Sequence, residues 1–222
     1  MRGGLNEKLS RGAARVWRDT RPGESPRVIR AHMAVLQILT VPNPLLTKKC
    51  RPVGPGEFGE ELARFVSDLA ETMYAAPGVG LAAPQCGDLR RVIVVDPGNC
   101  TREQDDDGRP TNPRFLALVN PQIIEASSDK MVYEEGCLSF PAIRGDIERP
   151  DAITVKFHDE RGVPHVLSCD GLFARCIQHE ADHLNGVLFI DRMKKPVRAS
   201  VDDAVKALAK ATREAAKPTL SP

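Results

Sequence analysis

The stretch His179-Glu180-Ala181-Asp182-His183 restricts what this chain can fold into more than any other. It falls in a segment patterned as a helix, with Asp170 placed as N-cap, a run to about residue 184, and Asn185-Gly186 as the stop. Four residues apart on a helix, two imidazoles project from one face and both reach a single metal ion. Glu180, next to the first, is placed to act as a general base on water activated by that ion. Leu172, Phe173 and Ile177 give the helix an apolar side to bury, which favours a metal helix over two chance surface histidines. The other histidines, His32, His158 and His165, stand in strand or terminal contexts and read as surface or packing residues.

Such a site needs a third ligand. One class of metalloprotease continues this motif with a glycine and then a third histidine; here Gly186 fits, but Phe189 holds the histidine position. Another class uses a downstream glutamate, and Glu214 sits in a separate terminal helix. Asp182 and Asp191 are weaker candidates. Cys176 shares the helix face, but the helix rises about 10 Å from there to His183 while metal bonds are only about 2 Å long. The third ligand therefore comes from another element.

At 222 residues, with 41% hydrophobic and 27% charged residues, the chain suits one globular domain with appended tails. A net charge of +1 gives no electrostatic case for DNA or a membrane surface. No apolar run approaches membrane-spanning length. The six cysteines could pair, but with no signal peptide ahead of them and a domain large enough to do without staples, reduced thiols in a cytosolic protein are the better reading. Residues 1–32 carry seven arginines and Lys8 against Glu7, Asp19 and Glu24. They read as a disordered extension or an upstream stretch, with an Arg-rich transit peptide as the alternative.

Phe58, Leu62, Phe65, Val66, Leu69 and Met73 recur at helical spacing, which predicts a helix over 56–76 ended by Pro77-Gly78. Residues 91–96 form a short apolar strand. Residues 97–114 form a polar loop whose successive aspartates do not match a calcium-loop spacing. Short strands are expected at 115–119, 123–126 and 131–133, a hairpin at 152–157 and 163–168, and an amphipathic helix at 200–216. Strands in the middle with few helices make the class α+β.

Two further stretches complete a pattern: Gly78-Val79-Gly80-Leu81-Ala82-Ala83-Pro84-Gln85 and Glu135-Gly136-Cys137-Leu138-Ser139. In this order with QHEADH, they resemble the three-motif signature of the peptide deformylases over about residues 34–193. The resemblance implies antiparallel β-sheets packed around a central metal-binding helix, with a catalytic domain at 33–197 and a C-terminal helix and tail at 198–222. It implies one divalent ion on Cys137, His179 and His183, Fe2+ first, with Zn2+, Ni2+ or Co2+ also suited to a thiolate and two imidazoles. Glu180 would be the general base and then the acid. Gln85 and the Leu138 backbone N–H would form the oxyanion hole. Val79, Gly80 and Gly136 would pair with the substrate backbone, and Leu172 and Cys176 would line a methionine pocket. Glu135 and Arg144 would support the site as a pair.

The implied activity is removal of the formyl group from N-formyl-methionyl nascent peptides in the cytoplasm, or in an organelle if residues 1–32 are a transit peptide. The basic segment around Arg192, Lys194, Lys195, Arg198, Lys206, Lys210 and Arg213 would dock on the ribosome or simply be a solvated helix. A zincin-type peptidase is weakened by Phe189. A non-enzymatic relative is weakened by the presence of both Glu180 and Gln85.

Overall fold

The computed structural model describes residues 34–98 and 114–216. The expected N-terminal extension and most of the polar loop lie outside that range.

Helix α1 (Glu60–Ala75) starts with Glu60 and Glu61, whose charges suit the positive helix N-terminus. Its buried side carries Leu62, Val66, Leu69 and Met73 of the predicted stripe; Phe65 is half-buried and Phe58 lies before the helix, which starts four residues later than expected. Five antiparallel strands form one sheet in the order β1 (Gly80–Ala82), β2 (Val92–Val95), β3 (Leu116–Ala126), β6 (Ala152–His158), β7 (Pro164–Asp170). Alternation along β2 shows how the layers assemble. Val92 and Val94 face the α1 core with Leu62, Leu69 and Val119. Ile93 and Val95 face the opposite core with Leu118, Val155 and Ile177 of helix α2 (Gly171–Leu184). The sheet is thus sandwiched between the two helices, and α2 is buried for most of its length.

The two strands expected at 115–126 are one strand, β3, with register shifts against β6 near Asn120 and Ile123. Asn120 takes a left-handed φ of 54° and ties its side chain to both backbone groups of Val53, at 2.8 and 2.9 Å. The β6–β7 hairpin forms as expected, with Asp159 Oδ1 accepting from the backbone N–H of Arg161 and Val163 in its turn. Asp170 stands at the α2 N-cap position but makes no side-chain capping bond. Asn185 is the C-cap and Gly186, at φ +70°, supplies the left-handed turn after it.

A separate two-stranded ribbon, β4 (Lys130–Cys137) with β5 (Phe140–Pro150), carries the EGCLS stretch at its turn. The ribbon has its own core. Phe140, Ile143 and Ile147 pack with Phe189, Ile190 and Met193, and with Val205 of the terminal helix α3 (Lys195–Ala215). The helix expected at 200–216 therefore begins earlier, and its apolar side is part of the ribbon's core. Among the described residues, no helix is long and apolar enough to cross a membrane.

Candidate metal centre

The centre forms where α2 meets the turn of the ribbon. A register shift between Gly136 and Cys137 sets Cys137 opposite Phe140, and bulges of this kind re-aim a side chain. Cys137 Sγ lies 3.3 Å from His183 Nε2. The ligand atoms of Cys137, His179 and His183 all lie within 4.8 Å of one another. Tetrahedral bonds of about 2.0–2.3 Å would space neighbouring ligand atoms roughly 3.3–3.8 Å apart, so the cluster is sized for one ion.

Hydrogen bonding fits that use, and an ion would displace the proton that His179 otherwise holds. His179 Nδ1 donates to Glu135 Oε2 at 2.9 Å, which leaves Nε2 for a metal. Burial opposes a charge on His179, but Cys137 and Glu135 outweigh it and hold its pKa high. Burial, with His179 and Arg149 nearby, pushes His183 well below the usual imidazole range and keeps it neutral. Thiolate with imidazole is a donor set for first-row divalent ions.

Glu135 is the hub behind the centre. Only 6% exposed, it accepts two bonds from Arg149, at 2.7 and 3.0 Å, and one from Arg175 at 2.7 Å. Burial would raise its pKa, but the bonds from His179 and Arg149 hold it below the usual carboxylate range. Arg149 also donates to Asp182 at 2.8 Å, and Arg192 closes the chain on Asp182 at 2.6 Å. Arg144, expected to pair with Glu135, lies instead 3.7 Å from Glu134, with its aliphatic stem beside Gly136. The pairing fails because the ribbon register places Arg144 opposite Gly136, whereas Arg149, farther along β5, turns inward. Asp182, a weak ligand candidate from spacing, is fully engaged by these arginines.

Glu180 is 5% exposed, its Oε2 has no hydrogen-bond partner among the described residues, and burial raises its pKa to about 7. It abuts β1, the end strand of the sheet: a methyl group on Gly80 would lie 2.5 Å from Glu180 Oε1. Gln85 is buried, accepts from the Ala82 N–H at 2.9 Å, and aims Nε2 at Ser139 Oγ (3.2 Å) and Cys137 Sγ (3.5 Å). Leu138 packs over Gly78. Val79 O accepts from the Asp96 N–H at 2.8 Å. Leu172 is 47% exposed at the start of α2, while Cys176 lies in the apolar core with Ile177. Phe189, standing where a protease would place histidine, packs edge-on against Phe140 and beside the His179 ring.

Sequence reasoning missed Arg149, Arg175 and the role of Asp182. A signal existed for one of them: Arg175, His179 and His183 repeat every four residues and share a helix face.

Comparison with known proteins agrees with this geometry. The family described as polypeptide deformylase matches residues 35–199. The peptide deformylase of Opitutus terrae is 47% identical over 188 residues, covering 82% of this chain and 97% of its own. That of Brucella suis is 42% identical, covering 80% and 95%. Among solved structures, Arabidopsis thaliana peptide deformylase 1B superposes with a TM-score of 0.74 at 34% identity, covering 84% of this chain and 96% of its own. The Plasmodium falciparum enzyme gives 0.72 at 32% identity, covering 82% and 100%. By sequence, fold and the arrangement of its three motifs, the chain belongs to the polypeptide deformylase family.

Proposed function

We propose that Cys137, His179 and His183 hold the divalent ion with which this hydrolase removes the N-formyl group from nascent peptides, and that Glu180 moves the proton. The observation that carries this reading is the convergence of one thiol and two imidazoles beside a buried carboxylate whose Oε2 has no hydrogen-bond partner among the described residues. When bound, an ion of this donor set acidifies water and polarises an amide carbonyl. Glu180 takes a proton from the water as its oxygen bonds to the formyl carbon. Gln85 Nε2, already directed toward Cys137, donates to the oxygen on which negative charge develops; one such donor contributes about 2.7–4 kcal/mol. The carbon–nitrogen bond then breaks, Glu180 passes its proton to the departing amine, and formate and a free N-terminus result.

Substrate selection follows from the surroundings. Val79, Gly80 and Gly136 offer backbone groups to the peptide, and β1 ends the sheet, so an extended chain can add beside it. Backbone pairing ignores sequence, while an apolar pocket beside Leu172 and Cys176 selects methionine. Fe2+ is the preferred ion on family resemblance, which makes the enzyme oxygen-sensitive. The test is formate release from a formyl-Met peptide by protein purified anaerobically and supplied with iron(II). One ion per chain and turnover are expected for the native chain, and neither for Cys137→Ala. Turnover by Cys137→Ala would remove it from the ligand set.

The basic face of α3 is the proposed ribosome contact, which places the enzyme where nascent chains emerge, in the cytoplasm or in an organelle if residues 1–32 are a transit peptide. Lys206, Lys210 and Arg213 are exposed, while Val205 is buried against the ribbon. Replacing the three bases by glutamate therefore tests docking without removing a packed helix. Salt-sensitive ribosome binding should weaken while activity on a free peptide stays; unchanged binding refutes the docking role.

A further inference from the structure

The two halves of the metal centre stand on different pieces of the fold. The histidines are on α2, whose apolar side packs into the five-stranded sheet through Ala174, Ile177 and Leu184. Cys137 and Glu135 are on the ribbon, whose apolar residues belong to another core with α3. Among the described residues, no apolar cluster contains residues from both α2 and the ribbon. Polar side chains therefore carry most of the contacts across the gap, joined by the Phe189 ring, which lies between Phe140 and the His179 ring.

Arg175 crosses it at three points. It lies on the same stripe of α2 as His179 and His183, one and two turns earlier, and is 7% exposed. Nη1 donates to Glu135 Oε1 at 2.7 Å and to the Ile147 carbonyl of β5 at 3.1 Å. Nη2 donates to the Met131 carbonyl of β4 at 2.6 Å. The Tyr133 ring covers the guanidinium at 5.7 Å. One planar group with donors in a fixed fork thus ties the histidine helix to both strands of the ribbon and to the carboxylate that orients His179.

We propose that Arg175 is a positioning residue that clamps the ribbon to α2 and so sets Cys137 at ligand distance from the two histidines. It acts through Glu135 and through the ribbon backbone and touches neither substrate nor ion. The inference rests on the ligand assignment made above. Lysine keeps the charge but carries its three donors on one nitrogen, so it cannot span acceptors that Arg175 reaches from two separate nitrogens of a planar fork.

The test uses the full chain loaded with cobalt(II), reading the thiolate-to-cobalt absorption band and the rate of cobalt loss to excess chelator. Arg175→Met should weaken or shift the band and lose cobalt about 10–100-fold faster, the usual range for removing support behind a metal ligand. Arg175→Lys should fall between it and the native chain, and it carries the test if the methionine variant does not fold. Arg90→Met removes an arginine that pairs with Asp88 and Glu61, neither of them part of the metal centre, so it should keep the native band and rate. Native behaviour in either folded Arg175 variant overturns the clamp, as does equal cobalt loss from Arg90→Met. If instead the native chain gives no thiolate band, or the band survives Cys137→Ala, the ligand assignment fails and not the clamp.

Discussion

Glu135→Gln tests the polar hub with little change of shape. The native carboxylate accepts bonds from His179, Arg149 and Arg175 and is nearly out of solvent. Glutamine keeps one acceptor oxygen but turns an NH2 group toward donors, and leaves two buried guanidinium groups short of a counter-charge. Arg149 retains Asp182, whereas Arg175 retains the carbonyls of Met131 and Ile147 and the Tyr133 ring, with no counter-charge among the described residues. Removing one side of a buried ion pair costs about 3–5 kcal/mol. For a domain of this size, that is a fall in Tm of roughly 6–20 °C. Arg149→Met is the internal comparison. After that change Glu135 still has Arg175 and His179, and Asp182 still has Arg192. Its cost should be nearer 1–3 kcal/mol, about what is lost with hydrogen bonds to charged groups. Equilibrium urea titration in excess chelator measures both without a contribution from metal binding. A loss below about 1 kcal/mol for Glu135→Gln, or a larger loss for Arg149→Met, would refute the placing of the hub at Glu135.

Other perturbations probe separate parts of the structure. Gly80→Ala puts a methyl group against Glu180 Oε1, so kcat/KM should fall about 100-fold with circular dichroism unchanged; native turnover would show that β1 does not abut the Glu180 carboxylate. Phe140→Ala empties a fully buried site packed on Phe189 and should cost about 3–5 kcal/mol in urea titration, and a loss under about 1 would contradict that core. Burial pushes the thiols of Cys50 and Cys169 up to about 11 and that of Cys86 up to about 12, so iodoacetamide at pH 8 should spare all three in the folded chain and label them in urea. Because those folded values lie above the unfolded one, the stability they contribute is complete below about pH 8.5 and is lost as pH rises through 11 to 12. Alkylation of Cys50 or Cys169 in the native state, followed by peptide mapping, would contradict their burial, and alkylation of Cys86 the raised pKa of its half-buried thiol.

The readable parts of the fold were those decided by local pattern. The α1 stripe, the α2 run between Asp170 and Gly186, and the β6–β7 hairpin each carry their own periodicity and turn residues. Strand β5 was not read at all. Pro141, Gly145 and alternating charges look unlike a strand, and its inward positions at Ile147 and Arg149 make sense only once α2 and Glu135 lie opposite. The break at Asn120-Pro121 made β3 look like two strands, although the sheet absorbs it as an irregularity held by Val53. In the centre, residues on one helix were legible through four-residue spacing. The partner of Glu135 was not, because Arg144 and Arg149 are both near in sequence and only the ribbon's register decides which turns inward.

Glu180 is proposed to move the proton in formyl hydrolysis, beside an ion held by Cys137, His179 and His183. The measurement that bears on it most directly is formate release by native and Glu180→Gln protein, each with its metal content determined. One ion per chain is expected in both, with turnover by the native protein and a rate lower by about 100-fold or more in the variant. Comparable turnover by Glu180→Gln, or none by native protein with its ion in place, would contradict it.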